Sequence, residues 1–170
     1  AITDVSYNPV HESSIAPACQ LLGNLPSRKK EQKAFFAKID TALQTLLDTR
    51  AGKTKSSIFF PMTMELTRLS KGNAERKILA LYSDMMEHTA LISFYDKKIL
   101  NLLKEDPDSV RRILEIEAVL PDLSAIEVFI VYQPRTSEES NTYRIVSEFF
   151  RDWLESKGAK VVIGANFSVQ

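Results

Sequence analysis

The sequence predicts an α/β fold, a three-layer α/β/α, Rossmann-like arrangement built on a mainly parallel sheet. Three observations lead there. Two apolar runs, Lys77–Tyr82 (KILALY) and Ile126–Tyr132 (IEVFIVY), lack the alternation of a half-exposed strand and read as strands covered on both faces. Amphipathic helical stretches separate them, as parallel crossovers require. The runs end abruptly in Ser83-Asp84 and Gln133-Pro134, at the edge where open α/β sheets place their ligand sites.

Composition supports a single domain over residues 1–170. The 170 residues, 44% of them hydrophobic and 26% charged, suffice for one core but would be cramped as two. Lys plus Arg equals Asp plus Glu at 22 each, so bulk electrostatics favour neither nucleic acid nor an anionic membrane. No apolar run nears the roughly 20 residues a bilayer span needs. The N-terminus lacks the pattern of a secretory signal, although a processed chain would lack it too. A soluble protein is expected, cytoplasmic in preference to secreted. Cys19 is the single cysteine, which leaves no intrachain disulfide, and His11 and His88 are too few to hold a metal alone.

Taken in order, Ala1–Tyr7 reads as a short strand broken by Asn8-Pro9. Val10–Ser27 is a loop interrupted by Pro17, Gly23 and Pro26. Arg28–Thr49 is the clearest helix, capped by Ser27, with a stripe that includes Phe35, Phe36, Ile39 and Leu43. Its lysines read as a solvated face. A polar turn around Gly52 leads to a helix over Ile58–Leu69, with Ser56 or Ser57 as cap and Pro61 tolerated near its start. After the strand at Lys77, a helix is expected from about Ala90 to Lys104, with Ile92, Tyr95, Ile99, Leu102 and Leu103 inward. Asp106-Pro107 restarts the chain, and Asp108 or Ser109 caps a helix to about Val119. Arg135–Asn141 reads as a polar loop before a helix over Thr142–Lys157 that buries Tyr143, Val146, Phe149, Phe150, Trp153 and Leu154 and ends at Gly158. Lys160–Gly164 is the last strand. About four strands result, short of the five or six usual for a doubly wound sheet.

No complete catalytic motif is present. Five scattered glycines form no phosphate loop, no serine occupies a G-x-S-x-G elbow, and Cys19 has no evident histidine partner. Three groupings could carry chemistry. Asp84, after the central strand, could bind a divalent cation or cap its own loop. Thr54, Ser56 and Ser57 could ligate an ion at a helix start or merely cap it. Asp4, Ser6 and Asn8, spaced by two on an extended segment, point the same way and could converge on an ion or stabilise a turn. Glu87-His88 could be an acid/base pair, but adjacent residues usually point apart. Phe59, Phe60, Met62, Met64, Met85 and Met86 read as core.

Together these pieces resemble a von Willebrand factor A-like domain. That family has a Rossmann-like fold with a metal-ion-dependent adhesion site at the sheet's carboxyl edge, built from a D-x-S-x-S motif, a loop Thr and an Asp after the fourth strand. Lys77–Asp84 resembles that fourth strand and its Asp, Ser57 falls where the Thr loop would be, and the runs at Ile126 and Lys160 follow in order. The nearest match to the motif is Asp4-Val5-Ser6-Tyr7-Asn8, which is degenerate. In one alignment residues 1–8 are the family's first strand; in the other, preferred one, they are its second, and the first strand and helix lie upstream in a longer domain.

The resemblance implies Mg²⁺ held by Asp84, Ser57, Asp4 and Ser6, and a non-enzymatic protein-interaction module whose partner is another protein. A small hydrolase using the same edge, with Asp84 or His88 as acid/base, and a metal-free assembly domain are the alternatives.

Overall fold

Lys77–Tyr82 (β1), Ile126–Val131 (β2) and Lys160–Gly164 (β3) form one parallel sheet in the order β1-β2-β3. The structure is a computed structural model that describes residues 14–15, 25–48 and 56–166. Five helices accompany the strands: α1 (Leu25–Asp48), α2 (Phe59–Lys71), α3 (Lys97–Glu105), α4 (Pro107–Leu114) and α5 (Ser137–Ser156). The chain divides into two units, one carrying α1 and the other carrying α2 through β3. No helix among the described residues is long and apolar enough to cross a membrane. The strand expected at Ala1–Tyr7 lies outside the described residues.

Register explains how the second unit is built. Leu79 pairs with Val128 and Leu81 with Ile130, and these two in turn pair with Val161 and Ile163. Because side chains alternate across a strand, these residues share one face. That face packs into a core containing Phe59, Met62 and Leu66 of α2, Leu103 of α3, Val110 and Leu114 of α4, and the inner stripe of α5. Phe59 and Trp153 stack at 4.8 Å between centroids and 7° between planes. Strands in sequential order joined by crossovers of one hand carry their connections over the same face. Among the described residues α2, α3, α4 and α5 accordingly join the core on one face, and the strand order contains no reversal. Phe129 and Val131 on the opposite face are nevertheless buried, which accounts for the continuous apolar run Val128–Val131 of β2.

Several boundaries differ from the expectations for local reasons. The helix expected from Ala90 starts at Lys97, because Asp96 caps it by accepting from the Lys98 amide at 2.8 Å. Residues 88–96 are instead a folded loop: Phe94 N–H donates to the Glu87 carbonyl, and Thr89 Oγ1 accepts from the Leu91 and Ile92 amides. Tyr95, expected inward, is therefore exposed. Asp106 rather than Asp108 or Ser109 caps α4, which ends at Leu114, short of Val119. The segment read as a loop before Thr142 is helical from Ser137, since Thr136 caps α5 through the Glu139 amide. The α5 C-terminus is as expected. Gly158 sits at φ +95°, and Gly158 and Ala159 N–H donate to the Glu155 and Leu154 carbonyls, the paired bonds of a left-handed cap. In α1, Phe35 is half-buried and Phe36 exposed.

Candidate functional site at the carboxyl edge of the sheet

β1 continues by one bond beyond Tyr82, as Ser83 N–H donates to the Val131 carbonyl at 3.2 Å. The chain then leaves the sheet through two successive side-chain turns. Ser83 Oγ accepts from the Met85 amide at 3.0 Å, and Asp84 Oδ1 accepts from the Met86 amide at 3.1 Å. Between them Met85 takes φ +60°, a left-handed conformation that costs about 1–2 kcal/mol in a residue with a side chain. Complete burial of the Met85 side chain and the two flanking bonds offset that cost.

The loop is pinned to the start of α2. Ser56 and His88 form an antiparallel bridge with backbone bonds of 3.1 and 2.7 Å. Cross-strand neighbours of such a bridge share a face, so Ser57 and Glu87 adjoin. Glu87, 0% exposed, accepts from the Ile58 and Phe59 amides through Oε2 at 2.9 and 2.8 Å. It thus caps α2 from a distant part of the chain. Neither Ser56 nor Ser57 does so: Ile58 holds the cap position with no side-chain bond of its own. Burial raises the Glu87 carboxyl to about 7, against the pull of the two amides and with help from Glu117. Ser57 Oγ, Glu87 Oε1 and Glu117 Oε2 are shielded without hydrogen-bond partners.

Two tyrosines, Tyr95 and Tyr132, feel the charge of Asp84. Tyr95 is 62% exposed, and its ring meets that of His88 edge-on at 5.8 Å. Tyr132, the first residue after β2, lies 5.1 Å from the ring of Tyr143 on α5. Burial raises the Tyr95 phenol first, and the Asp84 carboxylate adds to it. The Tyr132 phenol is raised by burial, then by Glu139 and Asp84. Tyr143 is raised by burial, and its hydroxyl is shielded without a partner. Glu139 Oε2 accepts from the Arg135 amide at 2.7 Å, which fixes that carboxylate at the start of α5.

Of the residues expected to hold a metal, Asp84 follows the end of β1 and Ser57 is buried at 4% exposure, next to the Ser56–His88 bridge. No interaction joins Ser57 to Asp84. Asp4 and Ser6, with Asn8 and Thr54, lie outside the described residues. Among the described residues no group of three His, Cys, Asp or Glu converges as a metal would need. The described side chains therefore do not fit a complete cation site.

Glu87 and His88 do point apart. The Glu87 carboxyl faces α2, while His88 Nδ1 is 2.9 Å from Ser93 Oγ. The tyrosines were not visible as site residues in the sequence: Tyr143 sits on the apolar stripe of its helix, and Tyr95 looks like part of one. Asp84 was visible because it follows an apolar strand. No protein-family model, no curated protein and no solved structure matches the chain.

Proposed function

We propose that the second unit is a von Willebrand A-like, non-enzymatic protein-interaction module that engages its partner at the carboxyl edge of the sheet. One observation carries the reading: the strand-end carboxylate Asp84 is flanked along the chain by two solvent-facing aromatic side chains, with Tyr82 68% and Tyr95 62% exposed. Exposed tyrosines are amphipathic and lose little conformational freedom on binding, which suits them to interfaces. The sequential parallel order of β1, β2 and β3 also supports the resemblance. It is the order of the second half of a 3-2-1-4-5-6 sheet, in which the fourth strand borders the switch point. The edge recognises its partner directly, through its own side chains.

Site-specific photo-cross-linking in the source cells tests this. A photoreactive residue in place of Tyr95 should capture a discrete protein, whereas one in place of Ile116, equally exposed before β2, should not. Equal capture at both positions, or none at Tyr95, sinks the proposal.

A second reading, a small hydrolase, draws on the 2.9 Å contact between His88 Nδ1 and Ser93 Oγ. A serine beside a histidine is the beginning of a nucleophile–base pair. The same contact also ties together the two ends of a short bridge, since His88 and Ser93 pair through their backbones. Labelling of Ser93 by a fluorophosphonate, lost in His88→Ala, would favour the enzyme; an unlabelled chain removes it.

A further inference from the structure

We infer that α1 is where two copies of this chain associate, as an antiparallel pair of helices. Phe36 of each copy seats on Ile39 of the other, and Lys33 of each faces Asp40 of the other. The inference concerns the first unit and is independent of the interaction-module reading of the second.

Helices in proteins gain most of their stability from packing an apolar face. α1 runs for 24 residues, about 36 Å, yet none of its described side chains is buried. An apolar stripe is present all the same. Phe36 is 60% exposed, Phe35 and Ile39 are half-buried, and the two phenylalanine rings meet edge-on at 5.6 Å. In the sequence, Phe36, Ile39, Leu43 and Leu46 follow one another at the alternating three- and four-residue spacing of a helix-pairing seam.

Charge identifies what covers the stripe. Residues 28–38 hold five basic residues, Arg28, Lys29, Lys30, Lys33 and Lys38, against one acid, Glu31. Residues 39–48 hold Asp40 and Asp48 and no basic residue. This order opposes the macrodipole of the helix itself, which favours acids at the N-terminal end and bases at the C-terminal end. Arg28 pairs with Glu31 at 3.3 Å, whereas among the described residues Lys33 and Asp40 have no ion-pair partner. A parallel second copy would set bases beside bases. An antiparallel one sets the basic half of each helix against the acidic half of the other and offsets the mismatch with both macrodipoles.

End-to-end overlap makes the pairing specific. It places Phe36 and Ile39 of the two copies at the centre, as one layer repeated by the two-fold axis. Lys33 follows the seam position held by Gln32, and Asp40 follows Ile39, so both flank the same side of the seam. Equivalent flanking positions face each other in an antiparallel pair, and here they meet with opposite charge on both sides of the axis.

Sedimentation velocity of the full chain across the micromolar range tests the inference. Wild type should show a monomer–dimer equilibrium. Phe36→Glu or Ile39→Glu should weaken dimerisation by about a hundredfold, because a charge would be buried in the central layer. Both residues lie outside the core of the second unit, so the urea midpoint read by Trp153 fluorescence should stay unchanged. Lys33→Glu and Asp40→Lys should each weaken the dimer by about tenfold, and the double variant should return to within about threefold of wild type. A chain that stays monomeric throughout, or a dimer indifferent to Phe36→Glu, would overturn the inference. A double variant no tighter than the single ones would overturn the antiparallel pairing in favour of another orientation. A monomer that instead binds phosphatidylserine vesicles, and loses them in Phe36→Glu, would overturn it in favour of a membrane surface.

Discussion

Glu87 should make this protein less stable as pH rises towards neutrality. In the folded chain burial raises its carboxyl to about 7, against an ordinary value of 4.5. Below about 4.5 both folded and unfolded states hold the proton, and the group is neutral to stability. Between about 4.5 and 7 the unfolded chain releases the proton while the folded chain retains it, so stability falls through that window and levels off above it. At ~1.4 kcal/mol per pH unit the loss approaches about 3 kcal/mol, or roughly 6–12 °C in Tm for a chain of this size. The lowered carboxyls of Asp106, Asp122 and Glu127 work in the opposite direction, and their contribution is lost only as pH falls below the ordinary carboxylate range.

Trp153, the single tryptophan, stacks on Phe59, whose amide Glu87 holds, so its fluorescence reports the relevant region. Urea unfolding of wild type and Glu87→Gln from pH 5 to 8 supplies the measurement. The glutamine carbonyl can still accept from the Ile58 and Phe59 amides and carries no charge. The two proteins should be close in stability at pH 5 and diverge towards pH 8, with the variant ahead by up to about 3 kcal/mol. A difference constant with pH, or a wild type that gains stability from pH 5 to 7, would refute the reasoning.

Other consequences follow from the packing. Phe59→Ala, which removes a fully buried ring stacked on Trp153, should cost about 3–5 kcal/mol in urea midpoint analysis, and a loss below 1 kcal/mol would contradict the core assignment. Gly158→Ala should cost about 1–2 kcal/mol from its φ of +95° alone, and more because the new Cβ would lie 2.9 Å from Ser124 Oγ. The Gly158→Ala/Ser124→Ala double variant should recover only the share due to the hydroxyl, because the Ser124 amide nitrogen, 3.2 Å from the new Cβ, stays in place. Thr136→Ala, which removes the cap of α5, should lower stability by about 1 kcal/mol, measured against Ser137→Ala as an uncapped control. The exposed Arg76–Glu127 pair, with contacts of 2.6 and 3.0 Å, should couple measurably in a double-mutant cycle at low salt and lose that coupling in concentrated salt.

The strands at Lys77, Ile126 and Lys160 were legible because burial leaves a local trace, an apolar run of strand length closed by polar residues. The same holds for the stripe of α5 and the glycine that ends it, and for Asp84 at a strand terminus. The loop from Ser83 to Asp96 was not legible. Its apolar residues, Ile92, Phe94 and Tyr95 among them, mimic a helical face, but its conformation is set by contacts to a segment some 30 residues away. Ser56 bridges His88, and Glu87 reaches the α2 amides at 2.9 and 2.8 Å. A serine at a helix start is a good local cap, yet a remote carboxylate took the role because tertiary packing buried it there.

By itself, then, the sequence determined a parallel α/β architecture and one strand-end carboxylate, both consequences of short-range patterning. The tertiary structure decided how the loop that begins at that carboxylate is held. Ser56 bridges His88 and Glu87 holds the α2 amides, while Tyr132 at a strand end and Tyr143 on α5 meet at 5.1 Å, contacts that only the docking of α2 and α5 creates. Cooperation between distant segments of this kind depends on three-dimensional proximity, for which spacing along the chain provides no measure.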